Sequence, residues 1–276
     1  MFVLGAVAFG IFGLIIGSFL NVVTFRHNTG RSLAGRSGCL SCGASLTPAM
    51  LIPVVSWVIQ QRACRACGSR ISIQYPLVEL LTAALFIAVG SAQLSFVLTT
   101  LALVLVSLLI CIVIYDIKHT IIPDQWVYTA AVIAVVMRVV AGTPFSVLDI
   151  VDALIGGVVV AAPLALLWLV TKGRGIGLGD AKLGFVSGCL LGAVHGLISV
   201  MFAYVIGAGI AVLFLLPLPQ YVMLLSRWGI LRRSSVGGFT MKSEVPFGPF
   251  LVAGIILVWF SLLFGIYDPV LGYFGF

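Results

Sequence analysis

The chain has 276 residues, of which 62% are hydrophobic and only 8% are charged. Soluble domains carry about 25% charged residues, so a water-soluble globular fold is excluded. The formal net charge of +7 invites a nucleic-acid reading, but the placement of the basic residues argues for a membrane and against nucleic acid.

Eight apolar segments follow one another, at about 1–25, 75–91, 94–115, 125–141, 147–171, 181–194, 196–225 and 246–267. Most approach the roughly 20 residues that cross a bilayer as a helix. The first begins at Met1 without a basic flank and is too long for a signal-peptide core, so it reads as a retained spanning helix. The sixth and seventh are separated only at His195-Gly196. Gly156-Gly157 and Gly207-Ala208-Gly209 mark close helix contacts, and Ser146-x-x-Asp149 is a capping box for the fifth helix. The fold class is therefore an all-α polytopic membrane protein of about eight transmembrane helices, with a small cytoplasmic insertion of zinc-ribbon type.

The basic residues fall in alternate loops. Arg26, Arg31, Arg36, Arg62, Arg65 and Arg70 lie in the first, and Lys118 follows the third apolar run. Lys172, Arg174 and Lys182 follow the fifth, and Arg227, Arg232, Arg233 and Lys242 precede the last. One side of the membrane thus receives 14 of the 15 Lys and Arg residues, Arg138 being outside the pattern. The positive-inside rule makes that side cytoplasmic and places both chain ends on the other.

Residues 26–74 are the one true break in hydrophobicity, a basic, turn-rich stretch too short to bury a core of its own. It holds Cys39-x-x-Cys42 and Cys64-x-x-Cys67, each pair followed by a glycine, Gly43 or Gly68, that lets the backbone turn toward the sulfurs. Two such knuckles close a tetrahedral Cys₄ site, and four protein ligands make the metal, zinc, structural. Disulfides are disfavoured in a reducing cytosol. Cys111 and Cys189 lie inside apolar segments and are explained by packing. The chain divides into a first transmembrane helix (1–25), a cytoplasmic Cys₄ domain (26–74) and a transmembrane catalytic domain (75–276).

Only eight residues are acidic, and ionisable groups near a bilayer are functional candidates by default. Asp116 ends the third helix in Tyr115-Asp116. Asp180 opens the sixth in Gly177-Leu178-Gly179-Asp180. The topology sets both at cytoplasmic helix ends, where two adjacent carboxyls cannot both ionise easily: one keeps a proton and the other serves as base, the aspartic-protease arrangement. Gly177 and Gly179 let an extended peptide approach the backbone. Either Asp alone reads as a helix cap. Asp124, after Pro123, competes with Asp116 but is placed to cap the fourth helix. A zinc protease of His-Glu-x-x-His type is disfavoured, because His27, His119 and His195 are scattered.

Taken with Gly17-Ser18-Phe19-Leu20-Asn21-Val22, the four cysteines, Tyr75-Pro76-Leu77-Val78-Glu79-Leu80 and Pro246-Phe247-Gly248-Pro249-Phe250, these motifs resemble the type IV prepilin leader peptidases over almost the whole chain. The resemblance implies an intramembrane aspartic endopeptidase of the bacterial cytoplasmic membrane, with its active site facing the cytoplasm. It would cut the basic leader from prepilin or pseudopilin precursors, using Asp116 and Asp180 as the catalytic pair and Cys39, Cys42, Cys64 and Cys67 as metal ligands. Many bacterial members then methylate the new N-terminus with S-adenosylmethionine. Glu79 is the candidate for contacting that cofactor or the substrate amine, the alternative being a structural hydrogen bond to the face of the first helix that carries Ser18 and Asn21. The stretch between Arg26 and Cys39 is shorter than in many bifunctional members and has no acidic residue. A peptidase-only member is therefore the alternative reading, and a transporter a more distant one.

Overall fold

The computed structural model describes residues 2–30, 32, 35–142, 146–215 and 246–265. Among these the helices are α1 (Phe2–Arg26), α2 (Val55–Ile59), α3 (Gln74–Ser91), α4 (Phe96–His119), α5 (Asp124–Ala141), α6 (Val147–Thr171), α7 (Leu178–Ile210) and α8 (Gly248–Leu263). A 3₁₀ turn, Pro48–Leu51, precedes α2, and a π turn, Ala211–Leu215, follows α7. No β-strand occurs among the described residues beyond two isolated bridges. Six helices are long and apolar enough to cross a membrane, and α8 is a shorter apolar one. The protein is a multi-pass, all-α membrane protein. Arg31, Arg227, Arg232, Arg233 and Lys242, on which part of the loop-charge pattern rests, lie outside the described residues, as does the end of the seventh apolar segment.

The chain forms two compact units, one of residues 1–115 and 123–149, the other of residues 116–122 and 150–276. In the first, α1 and α3 lie antiparallel through small residues. A Cβ on Gly13 would lie 2.6 Å from the Ala83 Cα, and one on Gly17 would lie 2.8 Å from the Glu79 Cα. Glycine is needed at both, because nothing larger lets the two backbones approach so closely. Leu105, Val106, Leu109 and Ile112 of α4 are fully buried at the centre of this unit. The other face of α1, with Val7, Ile11, Phe12 and Ile15, is exposed, the inverse of a soluble helix and as expected where lipid is the solvent. His27, just past α1, packs its ring against Trp126 (centroids 4.3 Å apart) and Tyr115 (5.3 Å). Ser146 and Asp149 both cap α6, with the N2 rather than the N3 amide on the serine: the Ser146 N–H donates to Asp149 Oδ2 at 3.3 Å, and the Leu148 N–H donates to Ser146 Oγ at 3.1 Å.

In the second unit, α7 is not one rod. Gly192 has φ 80° and ψ 175°, a conformation essentially confined to glycine. The Ser187 and Ser199 hydroxyls are 2.7 Å apart, where a straight helix would separate them by about 18 Å. The chain therefore folds back at Gly192 into two arms, residues 178–191 and 193–210. The expected break falls at Gly192 rather than at His195-Gly196, because the reversal needs a positive φ rather than a polar side chain. Gly156 seats against the turn, with a Cβ there lying 2.6 Å from the Gly188 carbonyl oxygen. Gly157 meets Phe185 and Cys189, and Gly207 meets Phe250, but Gly209 faces nothing within 4 Å. That absence holds among the described residues only. Counting the two arms separately, the described residues show eight long helical pieces. Helix α8 packs on the second arm, where Gly254 comes against the Ser199 carbonyl.

Candidate active site and metal centre

Asp116 lies three residues before the end of α4. Thr120, at φ 52°, stops that helix by donating its N–H to the Asp116 carbonyl at 2.7 Å. The Asp116 side chain is buried, and its Oδ2 accepts the Gly248 N–H at 3.0 Å. That donor opens α8, where an exposed N–H is characteristic of a helix start. Asp180 stands in the first turn of the first arm of α7. It is also buried, and its Oδ2 accepts the Gly177 N–H at 3.0 Å while its own N–H donates to the Gly177 carbonyl at 3.2 Å. The cap expected of Asp180 as a lone residue is therefore real, and it orients the carboxyl.

The two carboxyls belong to the same compact unit and are close enough for the charge of Asp116 to act on Asp180. Ile122, buried, fills the space beside them. A Cβ on Gly179 would lie 3.0 Å from Ile122 Cβ, and one on Gly248 would lie 2.5 Å from Asp116 Oδ2 and 3.4 Å from Ile122 Cδ1. Glycine at 179 thus makes room for Ile122. A Cβ on Gly177 would lie 3.3 Å from Asp180 Oδ2. Tyr204, on the second arm, feels the charge of Asp180 and stacks on Phe247, with centroids 4.8 Å apart. Asp124 is exposed in the first turn of α5, after the N-cap Pro123.

Three contributors carried no assigned role in the sequence reading. Gly248 was visible only as part of Pro246-Phe247-Gly248-Pro249-Phe250, a glycine opening an apolar helix. Ile122 and Tyr204 carry no signal, since an isoleucine beside a proline and a tyrosine in an apolar run are ordinary until the chain is folded.

In the first unit, the four thiols of Cys39, Cys42, Cys64 and Cys67 come together, all Sγ atoms within 4.8 Å of one another. The two knuckles are built alike. The Cys39 N–H donates to the Ala44 carbonyl (2.9 Å) and the Gly43 N–H to the Cys39 carbonyl (2.9 Å); the Cys64 N–H donates to Ser69 (2.9 Å) and the Gly68 N–H to Cys64 (2.8 Å). Gly43 and Gly68 sit at φ 73° and 71°, as their place in the turns requires. Cys39 and Cys67 Sγ are 3.9 Å apart, and tetrahedral Zn–S bonds of about 2.3 Å set sulfurs about 3.8 Å apart. The backbone N–H groups of Cys42 and Ser41 draw the Cys39 thiol down to about 6, and the Ser69 hydroxyl lowers Cys67. Cys42 takes the Ala44 amide, which lowers it, but crowding by Cys67 and Cys39 carries it up to about 11. Four cysteine sulfurs within 4.8 Å of one another offer a complete tetrahedral ligand set, and the cluster fits one cation. Cys111 and Cys189 are buried in helices, as packing residues are.

Glu79 is buried in α3. Its Oε2 accepts the Val54 N–H at 2.7 Å, and the Ser18 hydroxyl bonds to it as well. Asn21 alongside bonds to Gln74 Nε2 (3.3 Å) and to the Gly17 carbonyl (3.2 Å). The polar contact between α1 and α3 foreseen as an alternative for Glu79 is therefore present.

Residues 11–92 match the family model of the bacterial peptidase A24 N-terminal domain, and residues 103–212 match that of the type IV leader peptidase family. The chain is 33% identical over 254 residues to a prepilin leader peptidase/N-methyltransferase of Bacillus subtilis, spanning 90% of this chain and 91% of that one. A protein of the same description from Myxococcus xanthus is 35% identical over 217 residues, 76% of this chain and 63% of its own. One from Aeromonas hydrophila is 30% identical over 288 residues, 92% and 89%. No solved structure matches the chain. With paired carboxyls in one unit, a Cys₄ cluster in the other and full-length likeness of this kind, the chain belongs to the type IV prepilin leader peptidase family.

Proposed function

We propose that this protein is an intramembrane aspartic endopeptidase that removes the basic leader from prepilin or pseudopilin precursors and then methylates the new N-terminus. The observation that carries the reading is the pair of buried carboxyls, Asp116 and Asp180, in one compact unit, each held through Oδ2 by a glycine amide. One carboxylate takes a proton from water as the oxygen attacks the scissile carbonyl carbon. The other, protonated, gives its proton to the carbonyl oxygen. Collapse of the tetrahedral intermediate re-forms the C=O bond, breaks the C–N bond and passes a proton to the departing amine. The Gly177 and Gly248 amides hold the carboxyls in place for both steps. Gly177 and Gly179 line the start of α7, where we place the unwound substrate backbone.

Residues 26–74 form the cytoplasmic metal domain in this reading and residues 75–276 the peptidase domain, both acting at the cytoplasmic face of the bacterial inner membrane. Cys39, Cys42, Cys64 and Cys67 hold one structural zinc ion. S-adenosylmethionine, when bound, supplies the methyl group. A buried carboxylate with Ser18 and Asn21 nearby suits an ammonium group, so Glu79 is the residue assigned to that step. Glu79→Gln should then lower methylation more than cleavage.

The test is purified enzyme in vesicles with a prepilin-like peptide, read by mass spectrometry for leader loss and for an added methyl group. Asp116→Asn and Asp180→Asn should each abolish cleavage while the protein stays folded, because the amide is nearly isosteric but cannot exchange the proton. Asp124→Asn should retain most activity. An inactive Asp124→Asn beside an active Asp116→Asn would overturn the assignment.

A further inference from the structure

Residues 48–59 belong by sequence to the polar insertion, yet Leu51, Ile52, Val55, Val58 and Ile59 all turn apolar side chains outward, Val58 and Ile59 being 61% and 63% exposed. In water such a patch is costly. The hydrogen bonds of this segment set its height. Helix α3 has 18 residues, about 27 Å of rise, so all of it is needed to cross a hydrocarbon core of about 30 Å. Glu79 lies five residues inside that helix, about 8 Å below its start, and Ser18 lies eight residues before the end of α1, about 12 Å inside. The Val54 N–H donates to Glu79 Oε2 at 2.7 Å, and Ser18 bonds to the same carboxyl. The Glu79 side chain leans back toward the start of α3, so Val54 sits at the level of the first turns of that helix, where the hydrocarbon core begins.

Two further features fit that position. Val54 has φ 60°, rare for a β-branched residue, and this conformation aims its N–H at a carboxylate buried in an apolar medium. On the other side of α2, Trp57 Nε1 donates to the Ile71 carbonyl at 3.4 Å, and the Arg62 guanidinium lies 5.6 Å from the Trp57 ring centre. Arg62, Arg65 and Arg70 are exposed. Tryptophan and arginine side by side are the usual pair at the headgroup level.

We infer that the segment of residues 48–59 dips into the cytoplasmic leaflet, its exposed apolar face against lipid acyl chains and Arg62, Arg65 and Arg70 against headgroup phosphates. Glu79 is the tether that holds it there, and through it the Cys₄ knuckles of the same unit stay at a fixed height above the lipid. The occupant is the bilayer rather than a substrate helix, because the depth is set by α1 and α3 alone and needs no second protein.

The experiment places p-benzoylphenylalanine at Val58 or Ile59 of the full chain in substrate-free vesicles of mixed zwitterionic and anionic lipid. Phe12, exposed on the spanning helix α1, is the reference position. After photolysis, lipid adducts are counted by mass spectrometry. Yields at 58 and 59 within about threefold of that at Phe12 are expected. Yields below about a tenth of the reference would overturn the inference. Adducts that form only when a prepilin-like peptide is added, and on the peptide, would also overturn it and make this face a substrate-docking surface.

Discussion

Gly248 shows how little room the aspartate site leaves. A methyl group there would lie 2.5 Å from Asp116 Oδ2, so Gly248→Ala must move the carboxyl or the start of α8 and weaken the hydrogen bond between them. Losing a buried hydrogen bond of this kind costs about 1–3 kcal/mol, and kcat should fall by about tenfold to a hundredfold while KM changes little. Gly209→Ala, with nothing within 4 Å of the added methyl, should leave steady-state kinetics unchanged. That Asp116 and Asp180 stand at the ends of apolar helices was legible from the sequence, since acidic residues are few and each sits at the edge of an apolar run. Their amide partners were not, because a backbone N–H has no sequence signature. Gly179 illustrates the same limit: its neighbour Ile122 is 57 positions away in the chain and became visible only on folding.

Two elements can be tested as elements. The reversal in α7 depends on Gly192 at φ 80°, and any other residue there is strained by about 1–3 kcal/mol. Gly192→Ala should lower the detergent-solubilised melting temperature by several degrees and reduce activity with it, since Asp180 and Tyr204 lie on opposite arms of that hairpin. An unchanged melting curve would argue against the hairpin. The Cys₄ knuckles were readable to the residue, because Cys-x-x-Cys followed by glycine specifies a local turn whose hydrogen bonds all fall within a few residues. Metal analysis should find one zinc per chain. Cys→Ser at 39, 42, 64 or 67 should lower that occupancy, whereas Cys111→Ser and Cys189→Ser should preserve it. Stoichiometric disulfides among these four cysteines, in protein extracted from membranes with thiol exchange blocked, would contradict the zinc assignment.

For the whole molecule, a net charge of +7 means that bulk attraction cannot recruit a basic leader. Recognition should come from the substrate's apolar helix packing in the plane of the lipid. With substrate already inserted in vesicles, raising the salt concentration should not raise KM, since screening removes repulsion rather than attraction; a KM that climbs steeply with salt would count against this. The membrane class, the run of apolar helices, the Cys₄ turn and the placing of Asp116 and Asp180 at helix ends were determined by the sequence itself. Hydropathy and local turn chemistry act over a few residues and need no knowledge of the fold. Tertiary structure alone decided that α7 doubles back at Gly192, that glycine amides grip both carboxyls and that Glu79 reaches the Val54 amide across 25 positions. Each depends on one backbone meeting another far away in the chain, and such meetings are set by how small residues let helices approach, which no single residue or local pattern records.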